Sequence, residues 1–254
     1  MKLQGKAAIV TGAGSGVGRA TALALAQKGC AVLVNYSKKR EAAEQVAEEA
    51  RGFGVQAIAL RADVSADADC RNMVQEAERA FGRLDVLVNN AGTTRFIKHT
   101  DLDAVQLEDW DAIFAVNLRG PFQCARAAQK ALAAHGQGCI VNVSSTAGLR
   151  AIGSSIPYCA SKAALNNLTL SLARALAPHI RVNAVAPAFI TGDWLQQGLG
   201  ASYESTKKFW EGRAVLGKVC DPEDVAAAIL SLIEGSELVT GHIMPVEGGQ
   251  HLAP

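Results

Sequence analysis

Long apolar runs, paired cysteines and an excess of charge of one sign are all missing from this 254-residue chain. No stretch approaches the ~18 apolar residues of a membrane-crossing helix. Met1–Val10 carries Lys2 and Lys6 ahead of a short apolar run, but the run is too brief for a secretory signal and Gly12 follows at once. A cytoplasmic protein that neither spans nor binds a membrane is expected. The six cysteines, Cys30, Cys70, Cys124, Cys139, Cys159 and Cys220, form no C-x-x-C pair, which suits reduced thiols rather than a disulfide framework. The five histidines make no H-E-x-x-H and no Cys/His cluster, so no metal site is expected. Lys plus Arg is 25 and Asp plus Glu is 24, a net charge of +1. That balance argues against nucleic acid as a partner, since such modules carry a strongly basic face. With 49% hydrophobic and 19% charged residues the chain is not disordered. At ~100–200 residues per domain, one large domain over residues 1–254 is the default.

What is present is alternation. Short β-branched runs at Ala7–Val10, Ala31–Asn35, Val55–Leu60, Val86–Val88, Ile140–Val143, Ile180–Val185 and His242–Val246 read as strands. Between them lie helical segments at Val17–Gln27, Glu41–Arg51, Ala68–Phe81, Glu108–Ala134, Tyr158–Ala175 and Pro222–Ile233. Strand and helix taking turns means βαβ units around a parallel sheet. The strands are apolar throughout, as when helices cover both faces. The expected fold is α/β, a doubly wound parallel sheet of about seven strands in a three-layer αβα arrangement. Two long irregular regions, Gly92–Leu107 and Ala188–Gly217, interrupt the pattern, and such loops in a compact domain tend to be functional.

Thr11-Gly12-Ala13-Gly14-Ser15-Gly16-Val17-Gly18 follows the first strand and opens the first helix. Glycines there let the backbone turn tightly and approach a pyrophosphate, which the helix N-terminus then faces. A nicotinamide dinucleotide is the cofactor this context implies. An NAD site usually presents an acid at the end of the second strand. Here that end reads Asn35-Tyr36-Ser37-Lys38-Lys39-Arg40, with no acid before Glu41. Ser37 is placed to cap the next helix. Three cations crowd the helix start, where the macrodipole disfavours them; a 2′-phosphate offsets that through charge-assisted hydrogen bonds. NADP(H) is preferred and NAD(H) stays open, since Ser15 stands where a second basic residue would have helped.

Tyr158-Cys159-Ala160-Ser161-Lys162 begins a helix, and residues four apart share a face. An ammonium beside a phenol favours the phenolate. Lowering a tyrosine from about 10 to about 7 takes roughly 4 kcal/mol, and a phenol so tuned is a workable acid/base near neutral pH. In the long helix Pro121 lacks the N–H that would meet the Asn117 carbonyl, leaving either a water site or an ordinary kink at Gly120-Pro121.

Together, Thr11–Gly18, Asp63-Val64, Asn89-Asn90-Ala91-Gly92, Asn117, Ser145, and Tyr158 with Lys162 resemble the short-chain dehydrogenase/reductase family, a Rossmann-type fold, over nearly the whole chain. Each piece is weak alone; in this order they are specific. The resemblance implies that Tyr158 donates or accepts the proton and that Lys162 holds the nicotinamide ribose. It implies that Ser145, 13 residues before Tyr158, bonds the substrate oxygen, with Ser144 as competitor, and that Asn117 holds a water in a proton relay. Gly12, Ser15, Gly16, Val17 and Gly18 would meet the pyrophosphate, Ser37 and Lys38 the ribose end, and Asp63 and Val64 the adenine. Asn90, Ala91 and Gly92 would lie along the cofactor. The second strand and its basic turn look like the 3-oxoacyl reductase branch. A homotetramer through the helices of Asn117 and Tyr158 is the expected assembly.

The chain departs from the family after the sixth strand. The usual Pro-Gly is Pro187-Ala188, and the Thr that caps the carboxamide is replaced by Gly192, with Thr191 one residue early. Ile190 retains a backbone N–H for that contact, and Thr191 takes part only through a shifted loop. Of 13 aromatics, Phe189, Trp194, Tyr203, Phe209 and Trp210 crowd into this region. It looks like the family's substrate lid, at about 188–217, whose aromatics either exclude water over the substrate or anchor the lid. Leu149, Ile152, Thr94 and Phe96 are further pocket candidates. The leading expectation is a carbonyl–alcohol oxidoreductase with a small-molecule substrate, a ketone or 3-oxoacyl reductase first and an NAD-dependent sugar, polyol or alcohol dehydrogenase second. A cofactor-sensing protein without chemistry is the rival from another class, disfavoured because Ser145, Tyr158, Lys162 and Asn117 are all present. A nucleotide-sugar epimerase or dehydratase would need a larger substrate domain. Cys159 is expected to be a buried, inert thiol.

Overall fold

The computed structural model describes residues 1–253. Its strands are β1 (Ala7–Val10), β2 (Ala31–Tyr36), β3 (Ala57–Arg61), β4 (Val86–Asn89), β5 (Gly138–Val143), β6 (Ile180–Pro187) and β7 (Ile243–Val246). They pair in the order β3-β2-β1-β4-β5-β6-β7, every neighbour parallel. The helices are α1 (Gly16–Gln27), α2 (Arg40–Arg51), α3 (Asp67–Phe81), α4 (Leu107–Phe114), α5 (Gly120–Ala133), α6 (Ala147–Arg150), α7 (Ile156–Leu176), α8 (Asp193–Leu199), α9 (Tyr203–Arg213) and α10 (Pro222–Glu234). No helix of the described residues is long and apolar enough to cross a membrane.

The apolar strands are explained by what covers them. On one face Val10, Val32, Val86 and Val141 pack with Leu25 of α1, Val46 of α2 and Ile229 of α10. On the other, Ile9, Leu33, Leu87 and Ile140 pack with Met73 of α3, Cys124 of α5 and Leu172 of α7. Successive strand residues thus feed opposite cores, so both parities must be apolar.

The exceptions are four buried asparagines: Asn35, Asn89 and Asn142 near the ends of β2, β4 and β5, and Asn183 in the middle of β6. Asn89 and Asn142 are register partners on β4 and β5. Asn89 Nδ2 donates to Asn142 Oδ1 at 2.9 Å, and Asn142 Nδ2 to Thr169 Oγ1 of α7 at 2.9 Å. These bonds fix the carboxyl ends of the central strands, beside the point where the strand order reverses between β1 and β4. That reversal is the topological switch at which doubly wound sheets bind ligands.

Three expectations need correction. The segment after residue 107 is not one α-helix: α4 and α5 are joined by a π turn at Ala115–Arg119, with Gly120 N bonded to Ala115 O. The break expected at Gly120-Pro121 therefore falls a turn earlier, and the missing Pro121 N–H is accommodated by a wider register. The region from residue 188 to 217 is not irregular; it holds α8 and α9. Ser37 does not cap α2. The N-cap is Lys39, two residues on, so the Ser37 hydroxyl is out of reach of the first turn.

Candidate active site

A cleft of about 1360 Å³ opens along the carboxyl ends of the sheet. At one end lies the turn after β1. Gly12 has φ +63°, and a Cβ there would come within 3.0 Å of Ala91 Cα, so only glycine lets the turn rest on the loop after β4. Gly12 N donates to Asn35 Oδ1 at 3.1 Å, while Asn35 Nδ2 donates to Ala62 O at 3.0 Å. Thr11 Oγ1 accepts the amides of Asn90 and Ala91, both at 2.9 Å. Asn90 Nδ2 returns bonds to Thr11 O and Gly12 O. Sequence alone assigns Asn35 no role and Thr11 only a place at the head of the glycine motif, yet together they fasten the loop. Gly12, Ser15, Gly16 and Val17 line the cleft, with no acid in the first turn of α1. Gly18 does not line it. A Cβ at Gly18 would lie 2.5 Å from Asn90 Nδ2 and from Gly12 O, so this glycine serves the close approach of α1 to the clasp.

Ser37, Lys38 and Lys39 line the same end of the cleft. Among the described residues neither lysine has an ion-pair partner, whereas Arg40 pairs with Glu44 at 2.7 Å and Arg19 with Glu49 at 2.6 Å. Asp63 and Val64 form the adjoining wall. Asp63 Oδ1 accepts from Ser65, and its amide donates to Asp69 of α3. The free amides at the α1 N-terminus and the glycine-shaped turn fit the pyrophosphate of a dinucleotide, and the two lysines stand beside it without ion-pair partners.

The other half of the cleft holds Ser145, Tyr158 and Lys162. Ser155 caps α7, its hydroxyl accepting from Tyr158 N. Lys162, one turn on, is buried; its Nζ donates to Val143 O at 2.8 Å and stands 5.6 Å from the Tyr158 ring centre. Burial lowers Lys162 to about 8, which still leaves it protonated at neutral pH. Burial also pushes the Tyr158 phenol up to about 12, against the hydrogen bond with Ser145, which lowers it. In the protein alone desolvation therefore dominates the phenol, and Lys162 is not among the groups that shift it.

Of the two competing serines, Ser144 is buried with its hydroxyl on Asn166 Oδ1 at 2.6 Å. Ser145 bonds weakly to Pro187 O at 3.3 Å and faces the phenol. Asn117 is fully buried in the π turn and does not line the cleft. Its side chain accepts from Thr93 N and donates to Thr93 O and Ser161 Oγ. The side chain is thus a brace for Thr93 and for α7 rather than a group open to the cleft.

Ala91, Gly92, Pro187, Ile190 and Thr191 all line the cleft. Thr191 is not freed by a shifted loop: its hydroxyl is held by Asp221, the N-cap of α10. The Ile190 amide makes no hydrogen bond among the described residues. Trp194 of α8 lies edge-on to Tyr158 at 6.4 Å between ring centres. Phe189, Tyr203 and Trp210 pack together with Val219 and anchor the lid, whereas Phe209 is exposed beside Arg213. Ile152, Thr94 and Phe96 line the cleft; Leu149 is exposed outside it. His99, Arg150 and Gln250 join the wall from segments with no motif. All six cysteines are buried and free, and no His/Cys/Asp/Glu group suited to a metal occurs among the described residues.

This arrangement defines a nicotinamide-dependent oxidoreductase of the Tyr-Lys type. The family model described as enoyl-(acyl carrier protein) reductase matches residues 12–251. "Granaticin polyketide synthase putative ketoacyl reductase 2" of Streptomyces violaceoruber is 42% identical over 245 residues, 96% of each chain. A 3-oxoacyl-[acyl-carrier-protein] reductase of Synechocystis sp. is 38% identical over 250 residues, 97% of each. The crystal structure of NAD+-bound xylitol dehydrogenase superposes with a TM-score of 0.89 at 29% identity, covering 98% of this chain and 100% of that one. The chain belongs to the short-chain dehydrogenase/reductase family, related to its 3-oxoacyl reductase branch, and its general activity is NAD(P)-dependent interconversion of a carbonyl and an alcohol.

Proposed function

We propose that the protein is an NADPH-dependent reductase of a ketone or 3-oxoacyl group, with Tyr158 as the proton donor. The observation that carries this reading is the Ser145 hydroxyl, Tyr158 phenol and buried Lys162 ammonium gathered at one end of a dinucleotide-sized cleft. When bound, the nicotinamide supplies the hydride. Ser145 and Tyr158 hydrogen-bond the substrate oxygen and polarise the carbonyl. As the carbonyl carbon gains hydride, Tyr158 gives its proton to the oxygen and becomes phenolate. Lys162, protonated and one helical turn away, stabilises that anion. Trp194 and the lid helices shield the reacting atoms from water. Asn117 acts through the Thr93 backbone and Ser161, as a positioning residue.

The NADP preference rests on Lys38 and Lys39, which line the cleft without partners. In a fluorescence titration NADPH is expected to bind about tenfold or more tighter than NADH, which is about 1.4 kcal/mol. Lys38→Ala with Lys39→Ala removes most of that difference. Equal affinity for the two cofactors in the native protein sinks the phosphate-site argument. It also favours the second reading, oxidation of a sugar, polyol or alcohol with NAD. That reading draws on the similarity to NAD+-bound xylitol dehydrogenase and on Arg40 and Arg19 being held by Glu44 and Glu49.

The reading extends to a homotetramer acting in the cytoplasm. Phe122 of α5 and Leu170 of α7 are exposed apolar side chains on the helices expected to pair, and their burial supports association. Sedimentation velocity at micromolar concentration is expected to give a single species near four times 26.5 kDa; a monomer rejects the assembly.

A further inference from the structure

We propose that Gln250 reads a second oxygen on the substrate, so that the preferred carbonyl substrate carries another oxygen function besides the one reduced. This rests on the reductase reading above and deepens it.

Buried polar side chains in this protein are almost all paired. Among the described residues three buried side-chain atoms lack a hydrogen-bond partner: Thr21 Oγ1, Asn89 Oδ1 and Gln250 Nε2. Thr21 belongs to α1 and Asn89 ends β4, and neither lines the cleft. Gln250 is 4% exposed and lines the cleft. Its Oε1 likewise makes no hydrogen bond among the described residues, so the whole primary amide is unused by the protein. Leaving a buried donor unmatched is destabilising, and groups so placed in a binding site are complementary to a ligand.

The residue is held firmly, on the side of the cleft where chemistry is placed. It sits in a short 3-10 turn, Gln250–Leu252, with Gln250 N on Glu247 O and Leu252 N on Gly249 O. Glu247 is buried and bonds His251, and it faces Arg150 at the end of α6. The strand leading into the turn pairs Val246 with Pro187, whose carbonyl accepts from Ser145 Oγ. The turn is therefore tied through β7 and β6 to the serine that receives the substrate oxygen. A primary amide offers one acceptor and two donor hydrogens. It matches an ester, thioester, ketone or hydroxyl oxygen, and it disfavours a substrate whose remainder is hydrocarbon, because the amide then stays unpaired.

The test compares an alkyl 3-oxo ester with a methyl ketone of equal chain length, in the presence of NADPH. The native protein and Gln250→Met, which keeps the side-chain length and removes the amide, are assayed together. The expected result is that the ratio of kcat/KM for the oxo ester to that for the ketone falls tenfold or more in Gln250→Met, mainly through KM. Thermal melting without ligand supplies a readout independent of turnover: loss of an unpaired amide is expected to leave the melting temperature equal or raised. An unchanged ratio, or an equal fall for both substrates, overturns the proposal. A lowered melting temperature overturns its premise that the amide is unpaired. A native protein that binds NADPH and reduces neither compound overturns the underlying reductase reading instead, which separates the two failures.

Discussion

Tyr158→Phe is expected to lower kcat by about 10²–10⁴, the range that a positioned general acid contributes, while NADPH binding persists. The ring stays in place against Trp194 and only the hydroxyl is lost, so the substitution isolates the proton. The direction of the phenol shift adds a pH signature. Burial pushes Tyr158 up to about 12, so below that pH the phenol holds its proton, the form that reduction needs. Reduction should therefore run evenly through neutral pH and weaken first where Lys162 loses its proton, near 8. Oxidation of an alcohol needs the phenolate and should speed up with rising pH. Initial rates in both directions across pH check this. A Tyr158→Phe protein that keeps most of its turnover, or an oxidation rate indifferent to pH, removes Tyr158 from the proton step.

The parts of the molecule that could be read from sequence are those with a short-range physical rule. Apolar strands alternating with helices require a parallel sheet, and the seven strands appear where the β-branched runs stand. Tyr158 and Lys162 share a face because both lie on α7 four residues apart. What escaped depends on distant partners. The Thr191 hydroxyl is claimed by Asp221, thirty residues on, which no local pattern announces. Asn35 looks like one polar interruption of an apolar strand until the Gly12 amide is seen resting on its side chain. The helices α8 and α9 lack a clear apolar stripe, burying no residue and only Tyr203 respectively, so periodicity had nothing to register. The phenol illustrates the same limit in energy. The i,i+4 lysine was legible and argues for a lower pKa, but the burial that reverses the sign belongs to the folded protein.

Lys162→Met is expected to move activity and stability in opposite directions. Methionine preserves the bulk of the side chain but supplies neither charge nor donor, so the phenolate formed at Tyr158 loses its neighbouring cation. A fall in kcat of about 10²–10³ is expected, in keeping with general acid–base losses. Stability responds to a different quantity. Lys162 has its pKa lowered from 10.5 to about 8 by burial, so the folded state binds that proton less tightly than the unfolded chain. The cost of keeping it charged is fully present below pH 8, shrinks between 8 and 10.5, and is absent above. A shift of this size corresponds to about 3 kcal/mol. Loss of the Nζ bond to Val143 O offsets about 1 kcal/mol of the gain. Lys162→Met should thus melt higher than the native protein at pH 7, with the advantage disappearing as pH rises toward 10.5. Such a trade of stability for reactivity is expected where a site must hold a desolvated cation. Calorimetric melting at pH 7 and near 10 decides it. A variant that melts lower at pH 7 shows that the ammonium, through Val143 and its surroundings, stabilises the fold more than burial penalises it.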